Sequence, residues 1–455
     1  MKLNFIKITG WKRQVLIVTC LYIGQLVLGF TVAWSGVTLP KLQDRDHSPL
    51  SEPLKDAQLS LIASLLYVGC IPGPYVVGWL SNIKGRKPCL FAGGVILIIA
   101  YIILATTKNL AMLLCGRILS GFGIGIVGVM NVVYIGEIAS TNIRGILLTL
   151  MGLTQTCGAV ILYTAGYFLL YPATNYVAMV LSAVFTLATL FIPESPIFYI
   201  LKGKDEAVTK ILNELGRSED IETIMASKKL FQETTATKDW LELFTVRGNR
   251  KALIIVLIMN ILQHCSGVMV VIFFAGTIFE MAGSTTESNL SMLIITAFQI
   301  TGSLISPALV ERSGRKPLMV VSCAICSLAM YLLGLYFYLH RSGNIVASSI
   351  KWFPLAALIL FFIGYDFGLG IIPNTLIGEL FTTNVRSKGS AAALTGSWLA
   401  GFIITTAFGS VLDTIDYIAF WIFGTTCLGA MVFTIFFVLE TKGKSLLEIQ
   451  ECLNK

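Results

Sequence analysis

An all-α membrane protein, twelve transmembrane helices in two pseudo-symmetric halves of six, is the fold this chain predicts. Three observations carry the prediction. Of the 455 residues, 55% are hydrophobic and only 13% charged, where soluble domains carry about 25% charged residues, and the mean hydropathy is +0.80. Twelve apolar runs each approach the roughly 20 residues that cross a hydrocarbon core about 30 Å thick. The chain also repeats itself: GEIASTNIR, Gly136 to Arg144, returns as GELFTTNVR, Gly378 to Arg386, and KGRKP, Lys84 to Pro88, returns as SGRKP, Ser313 to Pro317.

The first run, near 14–36, follows a basic lead of Lys2, Lys7, Lys12 and Arg13. It is too long for a signal-peptide core of roughly 7–15 residues and reads as an uncleaved first span. Spans near 57–81, 88–107, 111–135, 145–168 and 174–192 complete a first half over residues 1–192. Between Pro40 and Asp56 the loop is Pro-rich and mixed in charge, which predicts little regular structure. The stretch 193–250 is charged, and DEAVTKILNELG, Asp205 to Gly216, has helical spacing with Gly216 as a stop. Too small for a domain, it predicts a solvated linker of short helices joining the halves, with docking beneath the bundle as the alternative. Spans near 251–279, 287–311, 317–340, 351–380, 387–411 and 416–438 form the second half over 251–438, and 439–455 is a tail.

With both termini cytoplasmic, about 26 of the 33 Lys and Arg residues lie inside, the bias the positive-inside rule demands. Basic loops against an anionic leaflet then explain the net charge of +8, and no interleaving of basic and aromatic residues points to nucleic acid. Nine of the ten cysteines fall within or beside the apolar runs, so they read as packing residues and not as a disulfide framework. Cys323 and Cys326 form a CxxC without a second ligand pair, so no metal is expected. There is no phosphate-binding loop and no nucleophile with a base, so neither ATP-driven transport nor an enzyme is predicted, and no cofactor is required. The Gly121 and Gly125 spacing reads as close packing inside a monomer, not as a dimer motif. Asn289 of the sequon Asn289-Leu290-Ser291 falls on the outer side, close to the next span, as a candidate glycosylation site.

Matched positions in two halves of a membrane chain place a substrate pathway on the seam between them, so the repeat points to transport. Span seven contains Ser266-Gly267 and span ten contains GLGIIPN, 368–374, and these interruptions at equivalent positions mark a midplane site. The repeated loops put Arg86, Glu137, Arg144, Arg315, Glu379 and Arg386 at the inner ends of helices. Charges at the membrane edge are costly unless paired or snorkelling. Pairs across neighbouring helices that form only when the inner face is shut would favour an outward-facing state, and permanent structural pairing is the alternative.

These segments together resemble the sugar porter branch of the major facilitator superfamily over essentially the whole chain. GWLSNIKGRKP (78–88) and LVERSGRKP (309–317) look like its loop motif, and GRILSGFGIG (116–125) with YIGEIASTNIRG (134–145) like its fourth span and following loop. PESP (193–196), QHCSGV (263–268) and ETKGKSL (440–446) resemble its sixth-span, seventh-span and C-terminal signatures. They bring Glu194, Glu311 and Glu440 into the set of gating charges. Among members the chain is most similar to the insect facilitated trehalose and hexose transporters. The resemblance implies the major facilitator fold and alternating access for a sugar such as trehalose or a hexose, in the plasma membrane by default. Transport of another small organic solute and a transport-dead sensor are the alternatives.

A sugar's hydroxyls call for amides and hydroxyls, with an aromatic face for its C–H side. The resemblance implies that Gln263 contacts sugar as the first of a glutamine pair. It places Gln299 at an amide position of span eight, Asp366 at an acidic position of span ten and Trp398 at an aromatic position of span eleven. Departures thin the polar grip. His264 replaces the second glutamine, Met269 an asparagine, and Phe273 and Phe274 two tyrosines, while Asn374 stands for a tryptophan and Ser397 for an asparagine. In span five Gly152 stands for a glutamine, and Gln155, a turn on, shares its face. Ile197 follows PESP in place of an arginine, and Asn82 replaces the loop aspartate. His264 reads as a neutral hydrogen-bonding replacement, a proton relay being the alternative. Proton-coupled members carry an aspartate after a Gly-aromatic pair, but Gly29-Phe30 is followed by Thr31, which predicts downhill transport.

Overall fold

A computed structural model describes residues 9–454 apart from 44–47, 51, 53, 227–235, 283–287, 346–348, 383, 384, 412–415 and 445. Among the described residues, twelve helices are long and apolar enough to cross a membrane. Spans one to six are Trp11–Gln43, Asp56–Ile83, Arg86–Ala105, Leu110–Ile138, Asn142–Phe168 and Tyr171–Phe191. Spans seven to twelve are Arg247–Phe273, Leu290–Val310, Arg315–Arg341, Phe353–Leu380, Arg386–Phe408 and Tyr417–Phe437. An even number of spans returns the chain to the side on which it began. That side, which also carries the segment between spans six and seven, is here the terminal end, and the opposite side the far end.

Inside lipid, helices have no hydrophobic reason to prefer one another over acyl chains, so small residues that allow close approach decide the contacts. Gly29 of span one sits where a Cβ would collide with the Gln155 carbonyl of span five, and Gly121 of span four where one would collide with the Leu66 carbonyl of span two. A Cβ at Gly125 would lie 2.8 Å from the Cys70 carbonyl oxygen of span two, so this glycine pair packs within the chain. Large apolar side chains such as Phe168, Phe191, Ile403 and Phe436 point outward, each more than 60% exposed, as lipid-facing residues do. Span two lies along span eleven and span five along span eight, which joins the first six spans to the last six.

Span one runs past its predicted end at residue 36 to Gln43, so the predicted loop begins later. Pro40 in that extension packs at 2.7 Å from where a Cβ on Gly276 would be. Beside it, Gly36 lies directly against the Ile272 carbonyl of span seven, so spans one and seven are packed together at the far end.

Several described residues of the segment after span six dock against the span ends. Its helices Pro196–Leu201 and Asp205–Glu214 bury Ile200, Val208 and Leu212 against each other. Arg13 pairs with Glu214 at 2.7 Å. The buried Gln14 amide donates to Leu215 O at 2.8 Å and accepts from Ser140 N–H at 2.8 Å. Arg217 donates to the carbonyls of Glu137 and Ile138 at 2.8 and 3.2 Å. Those carbonyls end span four and lack intrahelical donors, so the linker acts as the helix cap. Charge patterning describes only its outer face. The second half has a matching prop: Leu446–Asn454 buries Ile449 and Leu453, and Gln450 donates to Leu380 O at the end of span ten at 2.6 Å.

Candidate functional site

Both predicted interruptions are present. Span seven stops at Cys265 and resumes at Val268, with Gly267 at φ 83°, a left-handed conformation that costs glycine nothing. A Cβ at Gly267 would also lie 2.5 Å from the Phe423 ring, so any larger residue is excluded twice. Span ten widens into a π turn over Tyr365–Leu369 before Ile372–Leu380 resumes. Ser322 of span nine stitches this turn, accepting from Leu369 N–H at 2.8 Å and donating to Gly364 O at 2.6 Å. A break in helical hydrogen bonding at membrane depth persists only where protein groups take up the freed backbone.

Gln263 joins the two breaks. Its side-chain amide donates to Leu369 O at 2.9 Å and Gly370 O at 3.0 Å, which ties span seven to the unwound part of span ten. Next to it, His264 is buried with its ring edge-on to Tyr67 of span two and its Nδ1 without a partner. Asp366 lies in the π turn against Gly302 of span eight, with Oδ2 buried and unpartnered. Gln155, Gln299 and Trp398 are half-buried and Asn374 is exposed, and none of the four makes a described hydrogen bond. Phe273 packs near Tyr67 at 5.9 Å between centroids and Phe274 near Phe408 at 5.6 Å, so the far side of the break is an apolar lining. The side chains of Glu311 and Asn289 lie outside the described residues.

At the terminal end two clusters of the same construction appear. Arg86 pairs with Glu137 at 2.8 Å, and Arg315 with Glu379 at 2.9 Å. Glu194 accepts the backbone N–H groups of Arg86 and Lys87 at the start of span three, and Glu440 those of Arg315 and Lys316 at the start of span nine. Ser195 bonds to Glu137, and Thr441 to Glu379. Each cluster therefore clamps a helix N-terminus, where a carboxylate is favoured by the dipole and the orphan N–H groups. Arg144 and Arg386 stand apart from both pairs. They fold back onto the carbonyls of Ala139 and Phe381. None of the described ion pairs crosses between the first six and the last six spans.

Burial separates the two clamping glutamates. It raises the Glu194 pKa, and the N–H groups of Ser195, Arg86 and Lys87 only partly offset that. For Glu440 burial also raises, but the N–H groups of Lys442, Arg315 and Lys316 with the Arg315 charge outweigh it, and its pKa falls below the ordinary 4.5. A depressed carboxylate stabilises the fold above its unfolded pKa and loses that contribution as pH falls through the folded value, whereas a raised one contributes only below its unfolded pKa. Glu440→Gln is therefore expected to lower the melting temperature at neutral pH more than Glu194→Gln does. The difference should close as pH falls below 4.5. Equal shifts at neutral pH would refute the asymmetry.

Sequence reasoning passed over Arg117, which is fully buried in span four. It donates to Ile62 O at 3.1 Å and Ser35 Oγ at 3.0 Å, and its guanidinium lies 4.6 Å from the Trp34 ring centroid. Carbonyl oxygens and an aromatic face replace a carboxylate here, consistent with Thr31, which bonds to Tyr101 at 2.6 Å. A lone charge inside an apolar run was the available signal. Ser195 and Thr441 were also missed, though each follows the matched glutamate after spans six and twelve.

The family model described as "Sugar (and other) transporter" matches residues 17–453. The facilitated trehalose transporter of Polypedilum vanderplanki is 31% identical over 442 residues, covering 96% of this chain and 87% of that one. The homologue from Drosophila sechellia is 31% identical over 443 residues, covering 96% and 90%. The one from Aedes aegypti is longer, and the chain spans 54% of it at 31% identity and 96% of its own length. Among solved structures, the proton:xylose symporter bound to 6-bromo-6-deoxy-D-glucose superposes with a TM-score of 0.79 at 23% identity, over 98% of this chain and 99% of that one. The inward-open xylose transporter from E. coli gives 0.79 at 22% identity over 96% and 99%.

Proposed function

The chain belongs to the family of sugar (and other) transporters, and from that premise we propose that it carries trehalose or a hexose downhill, exposing one seam site to each side in turn. It is a multi-pass membrane transporter of the major facilitator fold and not an enzyme. The observation that carries the substrate reading is Gln263, a buried amide spanning the breaks of spans seven and ten. In this reading Gln155, His264, Gln299, Asp366, Asn374 and Trp398 contribute to the site as the two halves rock. Residues 1–192 and 251–438 are the moving bodies, with 193–250 riding on the first and 439–455 on the second. The clusters around Glu137 and Glu379 keep each body stiff, and Arg144, Arg386 and Glu311 act near the gate. We place both termini in the cytoplasm, from the charge bias, and the monomeric protein in the plasma membrane.

Phe273 and Phe274 favour a second reading, a less polar organic solute. Uptake of labelled trehalose, glucose and a solute panel into vesicles decides between them. The expected result is saturable sugar uptake that stops at equal concentrations inside and out and is indifferent to a proton gradient. Uptake of every solute equal to that of empty vesicles would overturn transport, and accumulation driven by the proton gradient would overturn the downhill mode.

A further inference from the structure

Two helices between spans six and seven treat their apolar faces in opposite ways. Asp205–Glu214 buries Val208, Ile211 and Leu212, and its exposed residues, Asp205, Glu206, Lys210 and Asn213, are all polar. Ala236–Thr245 turns part of its apolar face outward. Leu243 is fully buried, but Leu241 and Phe244 are 65% and 53% exposed, and Val246 just beyond them is exposed too. Trp240 stacks on Phe244 with ring centroids 6.4 Å apart, so the outward side is one continuous surface. At about 3.6 residues per turn Trp240, Leu241 and Phe244 share an arc of this helix, with Glu242 on the other side. A contiguous exposed apolar patch marks a contact with a partner or a membrane.

The lipid-facing wall begins beside this patch. Only Val246 separates the helix from Arg247, where span seven starts. Ile254 of span seven is exposed on its lipid-facing side, and Arg250 precedes it on the same face by one turn, about 6 Å along the axis. Arg247 and Arg250 are exposed and Lys251 half-buried, so cations stand where hydrocarbon gives way to headgroups.

We propose that Ala236–Thr245 lies on the terminal-side leaflet as an interfacial helix, its partner being anionic phospholipid. Leu241 and Phe244 dip into the headgroup and acyl boundary, Trp240 sits at headgroup level, and Arg247, Arg250 and Lys251 meet the phosphates. Such helices pair a Trp, Phe and Leu face with Lys and Arg at its border. The preference for anionic lipid rests on the cytoplasmic placement of the termini given above, since that leaflet is the negative one. It does not rest on which solute is carried. Because the helix runs directly into span seven, its docking fixes the terminal end of the span that carries Gln263.

The test uses the full-length protein in vesicles of phosphatidylcholine, with or without phosphatidylserine, carrying a nitroxide quencher either near the headgroup or at the end of the acyl chain. The Trp240 signal is the fluorescence difference between wild type and Trp240→Phe. It is expected to be quenched more by the shallow nitroxide than by the deep one, and more with phosphatidylserine present. Leu241→Ser with Phe244→Ser should abolish the quenching, and Arg250→Gln with Lys251→Gln should remove its dependence on phosphatidylserine. Melting temperatures in detergent should not fall in either variant, since the side chains changed are not core residues. A Trp240 signal open to aqueous iodide and indifferent to both nitroxides overturns the proposal. So does one shielded from iodide and from both nitroxides, which puts a second copy or another stretch of this chain on the patch. Shallow quenching that ignores phosphatidylserine in the wild type overturns the choice of anionic lipid as partner.

Discussion

Glu137→Ala is expected to destabilise the protein by about 3–5 kcal/mol, the range for removing one partner of a buried ion pair. Arg86 is 6% exposed and would keep only the Ser81 carbonyl, at 3.0 Å, for its guanidinium. Ser195 would lose its carboxylate at the same time. The matching Glu379→Ala should cost less, because the Arg315 and Glu379 side chains are 20% and 24% exposed against 7% and 14% for Arg86 and Glu137, so water reaches the abandoned charge. Thermal unfolding of the purified protein in detergent measures both. The double change Arg86→Met with Glu137→Met should recover most of the loss, since no unpaired charge remains. A melting temperature unmoved by Glu137→Ala would show that the pair carries no structural load.

Gln263→Ala is expected to cut the initial rate of sugar uptake by roughly tenfold or more, the scale of leaving buried polar groups unpaired. Its amide is the described donor to both Leu369 O and Gly370 O, at the point where the span-ten helix is interrupted. The change removes a proposed sugar contact and the tie between the two breaks together. Gln263→Glu should be at least as damaging, because a carboxylate presents acceptors to two carbonyl oxygens. Rates normalised to the amount of protein in the membrane, with sugar-free melting temperatures alongside, separate the two losses. Wild-type rates in Gln263→Ala would refute this site.

The breaks of spans seven and ten were legible because glycine and proline punctuate an apolar run, and a helix cannot ignore them. The pairing of Arg86 with Glu137 and of Arg315 with Glu379 was half legible. The repeat marked the charges, but the partner of each depends on how the helix ends meet, and Arg144 and Arg386 turned to carbonyls nearer to hand. The docked linker was read only as an alternative, since a segment that caps another helix shows its charges in sequence while the carbonyls it serves are hundreds of atoms away.

What the sequence determined by itself is the class of object: a twelve-span bundle, duplicated, with matched charges at one end and two interrupted spans. Hydrophobic length and local backbone chemistry fix such features residue by residue. What only the tertiary structure decided is which polar groups find partners. In a medium without water a buried donor needs a protein acceptor, and Gln263 finds its two carbonyls on span ten through long-range geometry that no local pattern encodes.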